Sequence, residues 1–503
     1  MDLPPHTTPR TLSLWSVGFV ALLLLLWSSV ASAAVLYKSK DESQRLELSG
    51  YVKSFASVQF GTERFFPETI PSSFKQFDDL IRALLPNTPA QNVNTAWKSF
   101  RREFSSLGMS QSWVRFRLKM KFNEQVSLHA AYEFRPVIGS QPTTLLSSIP
   151  TVGPALFGDS GGLFGGGSGG MGSFGVPAGF DDRWLDFPMQ AHSTHSFQLL
   201  HQLDRLFVSF SISDTSITVG RQPISIGVGR VFRPSDLLAP FSPYELDLEE
   251  KRGVDAAKVE IPIGEMSELM LVAVVQRRFP DKARELGANG YFDDISPGGL
   301  ARLKLTLGDV DTYVMLGYLQ GDLIASLGAS TSLFGAGVRV EATYHYAWQW
   351  DDKRRPNGLL NVSAGIDYNI AKINLMVGLE YYYHGAGGEK TSEYLDLPED
   401  QRYLRRWSFL LGQQYLALYG SWQIHPLLTF RFSTLFNVQD LSVLLAPTLE
   451  FAAKQDIYLV LASFVGFGAG PEVAVNNDQM DINLKSEFGA VGASVILGIR
   501  VYF

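Results

Sequence analysis

The 503-residue chain contains no cysteine. That excludes disulfides, cysteine-ligated metals, thioether-attached haem and a lipidated N-terminal cysteine. Charged residues make up only 18% of the chain and the formal net charge is −7, so no basic surface is offered to nucleic acid. Beyond the N-terminal segment, no run approaches the roughly 18 consecutive apolar residues of a helical membrane span. There is no phosphate-binding loop and no nucleophile motif. His192, His195 and His201, in HSTHSFQLLH, lack the further ligand spacing that would complete a metal site. No cofactor, no metal and no enzymatic activity are expected.

What is present starts with residues 1–33. Arg10 precedes an apolar stretch, LSLWSVGFVALLLLLW, and Ala31-Ser32-Ala33 supplies small residues at a cleavage site. This pattern predicts a secretory signal cleaved after Ala33, leaving 34–503 as one domain. The alternative is an uncleaved anchor. Glycine numbers 46, phenylalanine 34 and tyrosine 19, a composition that suits many strands.

Residues 113–122, WVRFRLKMKF, alternate strictly: apolar at 114, 116, 118, 120 and 122, basic at 115, 117, 119 and 121. A period of two is that of a strand, whose successive side chains point to opposite faces. Eighteen such runs are predicted, near 45–60, 111–122, 126–135, 200–212, 215–222, 254–262, 267–279, 299–308, 310–320, 323–329, 334–349, 359–369, 372–384, 409–424, 427–440, 441–453, 457–467 and 487–503. Short polar connections take turns with long ones, apart from two brief ones near 321–322 and 440–441. Such one-sided asymmetry predicts an all-β fold: an up-and-down antiparallel transmembrane β-barrel with short periplasmic turns and long outer loops. Eighteen strands return both ends to one side; sixteen would as well. Within the long connections, Phe74, Phe77, Leu80, Ile81 and Leu84 predict an amphipathic helix over 72–86, and 158–175 is a glycine-rich low-complexity stretch.

Backbone groups in a bilayer must all be paired, so the sheet has to close, with apolar residues toward lipid and the ladder inward. Strand parity puts Arg45, Lys53, Arg115, Arg117, Lys119, Lys121, Arg135, Arg205, Lys258, Arg278, Arg302, Lys304, Arg339, Lys372, Arg431 and Arg500 on the inward face. With them stand Glu47, Glu133, Glu260, Glu268, Glu341, Asp367, Glu380 and Glu450. Sixteen cations against eight anions predict a basic lumen, balanced by acidic loops such as Glu249-Glu250. The expected pore lining is Arg115, Arg117, Lys119, Lys121, Arg135, Arg205, Lys258, Arg302, Lys304, Arg339 and Arg431. Arg221, Arg230 and Arg233, in RQPISIGVGRVFRP, are candidates for a constriction. The competing reading is that the inward charges pair across strands and only keep the wall wet. Tyr344, Tyr346 and Trp348, and likewise Tyr381 and Tyr383, suit a headgroup belt.

The final strand ends in Phe503, and a terminal aromatic on an alternating strand resembles the assembly signal of bacterial outer-membrane barrels. The segment VGRQPISIGVGRVFRPSDLLAP, followed by KRGVDAAKVE, resembles outer-membrane porins of the alginate-exporter type at Gly220, Arg221, Gln222, Gly229, Arg230, Pro234 and Asp236. The resemblance implies a barrel of about 18 strands with a basic lumen. Three functions follow as expectations: a diffusion channel for small anionic solutes, an exporter of an anionic polysaccharide, and a sheath around a separate multihaem cytochrome. The implied partners are outer-membrane lipid, the barrel-assembly machinery, the solutes, and periplasmic or cytochrome proteins.

Overall fold

A computed structural model describes residues 34–39, 43–61, 98, 106–139, 183–184, 189–193, 197–242, 245, 248–277, 295–347, 357–395, 397, 403, 405, 407–476 and 479–503. The segment 72–86, the glycine-rich 158–175, His195, Arg278 and Trp348 lie outside the described residues.

The strands in chain order are β1 (Ala34–Lys38), β2 (Arg45–Phe60), β3 (Ser106–Lys121), β4 (Val126–Gly139), β5 (Met189–Ser193), β6 (Phe197–Ile212), β7 (Thr215–Gln222) and β8 (Val254–Ile263). Next come β9 (Ser267–Arg277), β10 (Ile295–Leu307), β11 (Val310–Leu319), β12 (Asp322–Leu333), β13 (Ala336–Ala347), β14 (Gly358–Ile370) and β15 (Leu375–His384). The last are β16 (Gln414–His425), β17 (Leu428–Asn437), β18 (Ser442–Lys454), β19 (Ile457–Phe467), β20 (Glu472–Asn476), β21 (Gln479–Asn483) and β22 (Ala493–Tyr502). Each predicted run corresponds to one of these strands. Lys372 is displaced from its predicted strand and falls in a single 3-10 turn, Ala371–Ile373.

Eighteen strands close into an antiparallel barrel. Successive barrel strands pair in order, β4 with β6 past the short β5, and β22 seals the ring by pairing with both β19 and β2. The terminal residue completes that seam: Phe503 N–H donates to the Gly50 carbonyl at 3.0 Å, and Gly50 N–H returns a bond to the Phe503 carbonyl at 2.7 Å. β1 extends the β2 edge at the end where the tight turns lie, and β20 and β21 form a separate hairpin.

Alternation sorts the two faces. On β13, Val340, Tyr344 and Tyr346 are exposed on the outside, while Glu341, Thr343 and His345 are buried inside. Outward leucines on β11, β12, β15, β16, β19 and β22 are likewise exposed. A continuous apolar band of this kind meets lipid. Tyr318, Tyr344 and Tyr346 stand on it toward the long loops, and Tyr368 and Trp422 toward the turns, as an aromatic belt requires. Turn chemistry is local: Phe334-Gly335 and Gln320-Gly321 both take positive φ, at 51° and 82° and at 51° and 93°, the twist that a two-residue hairpin favours. The second of these is the brief connection expected near 321–322.

One departure from alternation matters. A register shift opposite Ala131 and Tyr132 leaves Asp204 without a partner on β4, so Asp204 and Arg205 are both buried toward the interior. Parity alone had placed only Arg205 there.

Candidate functional site: an inward-folded segment and the charges it meets

β7 is short. It ends at Gln222, and the chain does not rejoin the wall until Val254. Above it, β5 pairs with the upper part of β6, and Arg183 bridges to Gln276 on β9. The wall is thus filled by another part of the chain, and the described residues within 223–253 fold inside.

Apolar contact holds this segment. Ile224, Ile226, Leu237, Leu238 and Ala239 form one buried cluster with Met270, Val272, Val274, Leu300, Tyr313, Met315 and Ile324 of β9 to β12. Fully burying each aliphatic side chain contributes roughly 1.5–3 kcal/mol. The signal is visible in β9, whose LMLVAVV is apolar on both faces. Continuous apolarity marks a strand covered on both sides, not one lining water.

Two wall carboxylates then fix its tip. Glu341 accepts the N–H groups of Val228 (2.6 Å), Gly229 (3.3 Å) and Ser235 (2.8 Å), and the Ser235 hydroxyl (2.6 Å). Glu380 accepts the N–H groups of Arg230 (3.0 Å), Val231 (3.3 Å) and Phe232 (2.7 Å). Successive N–H groups converging on an anion need a tightly coiled backbone. Gly227 supplies φ +98°, and a Cβ at Gly229 would stand 1.9 Å from the Phe232 carbonyl.

This coil leaves Arg230 and Arg233 exposed. Neither guanidinium has an ion-pair partner among the described residues; Arg233 Nε donates to its own segment, at the Gly229 carbonyl, 2.9 Å away. Arg221, the third candidate, is engaged elsewhere. It is buried where the wall loses β7, bound to Asp255 at 2.7 and 2.8 Å and to the Leu203 carbonyl at 2.8 Å.

The other expected lining residues are mostly paired. Arg115 meets Glu133 at 3.4 Å and also bonds Asp204. Arg135 bonds Glu133, Arg205 meets Asp204 at 3.1 Å, and Arg339 bonds Asp367. Lys258 meets Glu260 and Arg302 meets Glu268, both at 2.8 Å. Lys304 lies 3.9 Å from Asp311, and Arg431 3.0 Å from Glu450. Lys119 and Lys121 have no ion-pair partner among the described residues.

Sequence reasoning placed Glu249 and Glu250 in an acidic outer loop. They fold back onto the ladder instead. Glu249 accepts from Lys53 (2.7 Å), Arg500 (3.0 Å) and the Tyr502 hydroxyl (2.5 Å). Glu250 bonds Arg117 and lies 3.6 Å from Arg115 and 3.7 Å from Arg205. Burial opposes ionisation of Glu249, but hydrogen bonds from Lys53 and Tyr502 outweigh it and hold the carboxyl below its ordinary range. Deeper in the segment, Lys251 bonds Asp236; burial pushes the Asp236 carboxyl up and the Lys251 ammonium down.

Two further connections reach inward. Leu410, Phe488 and Val491 join Phe232, Tyr382, Tyr415 and Phe464 in a second buried cluster. Glu487 ties them together, accepting from Leu411 N–H (3.0 Å), the Tyr415 hydroxyl (2.5 Å) and the Asn437 amide (3.0 Å). His201, by contrast, bonds Tyr132 beside Phe134, and no group of three or more potential metal ligands occurs among the described residues.

No protein-family model matches the chain, and no curated protein matches it significantly. Solved structures do resemble it. OccK5 (OpdH) of Pseudomonas aeruginosa is 9% identical, with 91% of this chain and 98% of that one covered, at a TM-score of 0.46. OccAB4 of Acinetobacter baumannii is also 9% identical, over 92% and 100%, at 0.46. OccAB1 of the same organism is 6% identical, over 93% and 98%, at 0.46. The strand pairing itself establishes the barrel.

Proposed function

We propose that the protein is a bacterial outer-membrane channel through which small anionic solutes diffuse passively, narrowed by the inward-folded 223–253 segment. A closed barrel of eighteen strands has a cross-section larger than wall side chains fill. The observation that carries the anionic reading is the pair Arg230 and Arg233, exposed on that segment and without carboxylate partners among the described residues. Unpaired cations between low-dielectric walls raise the local concentration of anions. Lys119 and Lys121 add to this toward the turn end. The paired ladder residues Arg115, Arg117, Arg135, Arg205, Lys258, Arg302, Lys304, Arg339 and Arg431 keep the wall polar. Much of the apolar interior is filled by the chain's own segments, so nothing favours a cytochrome sheath.

Swelling of proteoliposomes in iso-osmotic solutions tests the proposal. Entry of gluconate is predicted to be faster than entry of a cationic solute of equal size. Equal rates contradict the anionic reading, and rates no higher than in protein-free vesicles contradict the channel.

A further inference from the structure

Three inward stretches meet at one tyrosine. Tyr415 of β16 is fully buried. Its ring centroid stands 6.4 Å from that of Phe232, at the tip of the 223–253 segment, and 6.3 Å from that of Phe488 in the 484–491 connection. Its hydroxyl accepts the Gly412 N–H, from the stretch just before β16, and donates to Glu487 at 2.5 Å. Phe232 also stacks on Tyr382, at 4.7 Å and 12° from parallel. The tip that carries Arg230 and Arg233 therefore leans on a ring that Glu487 holds in place. Glu487 itself sits beside a second carboxylate. Its backbone N–H donates to Asp440 at 2.8 Å, and the Asn437 amide is shared, 3.1 Å from Asp440 and 3.0 Å from Glu487. Tyr394 joins the same amide at 3.1 Å, and the Leu411 N–H reaches Glu487 at 3.0 Å. His384 of β15 stands behind this group, 3.1 Å from the Gly412 carbonyl. Lys485, two positions before Glu487, pairs with Glu472 at 2.9 Å. Hydroxyls, amides and a carboxylate thus face Glu487 from β16, β17, the β17–β18 connection and the stretch before β16. Burial pushes its carboxyl up to about 7, against the donors from Tyr415, Leu411 and Asn437, and Asp440 adds to the push. A value raised by insertion stabilises the inserted state in acid, and that stabilisation is lost as pH rises through about 7.

We propose that 484–491 is a proton-controlled gate at the loop end of the channel. With Glu487 neutral, the connection stays inserted and clamps the constriction tip through Tyr415. With Glu487 ionised, a second negative charge is buried beside Asp440 in a low-dielectric interior, and the connection is driven out to water. Phe488 leaves with it, Phe232 loses one of its supports, and the passage widens. The proposal rests on the channel reading, which supplies the passage to be gated, and does not depend on which solute crosses.

The test is the conductance of the full-length protein in a planar bilayer, with pH varied equally on both sides. Open-state occupancy is predicted to rise about tenfold or more between about pH 5 and about pH 8, with its midpoint near 7. Glu487→Gln cannot ionise and is predicted to keep the low acid conductance at the alkaline end. Phe488→Ala lacks the inserted ring and is predicted to keep the high alkaline conductance in acid. A wild-type conductance that stays constant over this range overturns the proposal. So does a pH dependence that survives Glu487→Gln, which would place the sensor elsewhere, His384 first. Heat-modifiable electrophoretic mobility reports folding; should Glu487→Gln not fold, Phe488→Ala alone must abolish the dependence, and its failure to do so overturns the proposal equally. A constant conductance in an anion-selective pore would sink only the gate, a pH-dependent conductance without anion preference would sink only the anionic reading, and no conductance at any pH would sink both.

Discussion

Glu341 and Glu380 show what a residue's position can and cannot reveal. Strand parity put both on the inward face. It could not show that their partners are backbone amides more than a hundred positions away in the chain. A hydrogen bond to a charged acceptor contributes roughly 1.5–3 kcal/mol, about twice a neutral one. Glu341→Gln keeps the shape but removes the charge and one acceptor oxygen from a site receiving four donors. Amide exchange at 228–235 is predicted to speed up roughly tenfold or more, given the energies above, while exchange in the strands stays unchanged. Unaltered exchange at those amides would show that apolar packing alone holds the tip. Asp204 is the opposite case: no pattern in LHQLDRLF marks the register shift that turns it inward, because the extra residue is specified by pairing with β4.

At the scale of elements, strands were legible and connections were not. A strand declares itself through a period of two, and the tight turns through short polar breaks. The inward fold of 223–253 depends on β7 being short and on β5 filling its place, neither of which is periodic. Two signals were written in the sequence: the doubly apolar β9, and the glycines of RQPISIGVGRVFRP that permit tight bends at a candidate constriction. The 484–491 connection carries a pH dependence of its own. Burial pushes the Glu487 carboxyl up to about 7, so the inserted state holds its proton more tightly than a released one would. Protonation thus favours insertion: the stabilisation is full below the ordinary carboxylate value and is lost as pH rises through about 7. Exchange protection of the amides at 484–491 is predicted to fall between about pH 5 and pH 8 and to become flat in Glu487→Gln. Protection that increases over that range would contradict the assignment.

For the whole molecule, the barrel follows from alternation and from the one-sided bias of the connections, both of which act along the entire chain. The interior charge does not follow so simply. Strand parity counts sixteen inward cations against eight anions on the wall alone, and one of the sixteen, Lys372, lies in the 3-10 turn. Glu249, Glu250 and Asp204 come inside from a loop and a bulge and cancel part of the excess. Selectivity therefore rests on the exposed cations that lack ion-pair partners among the described residues, foremost Arg230 and Arg233, and not on the ladder as a whole.

The reversal potential of the purified protein in a planar bilayer across a potassium chloride gradient tests that claim most directly. The expected potential has the sign that marks chloride preference and moves toward cation preference in Arg230→Glu/Arg233→Glu. A wild-type potential at zero, or one that stays in place when those two charges are reversed, would contradict it.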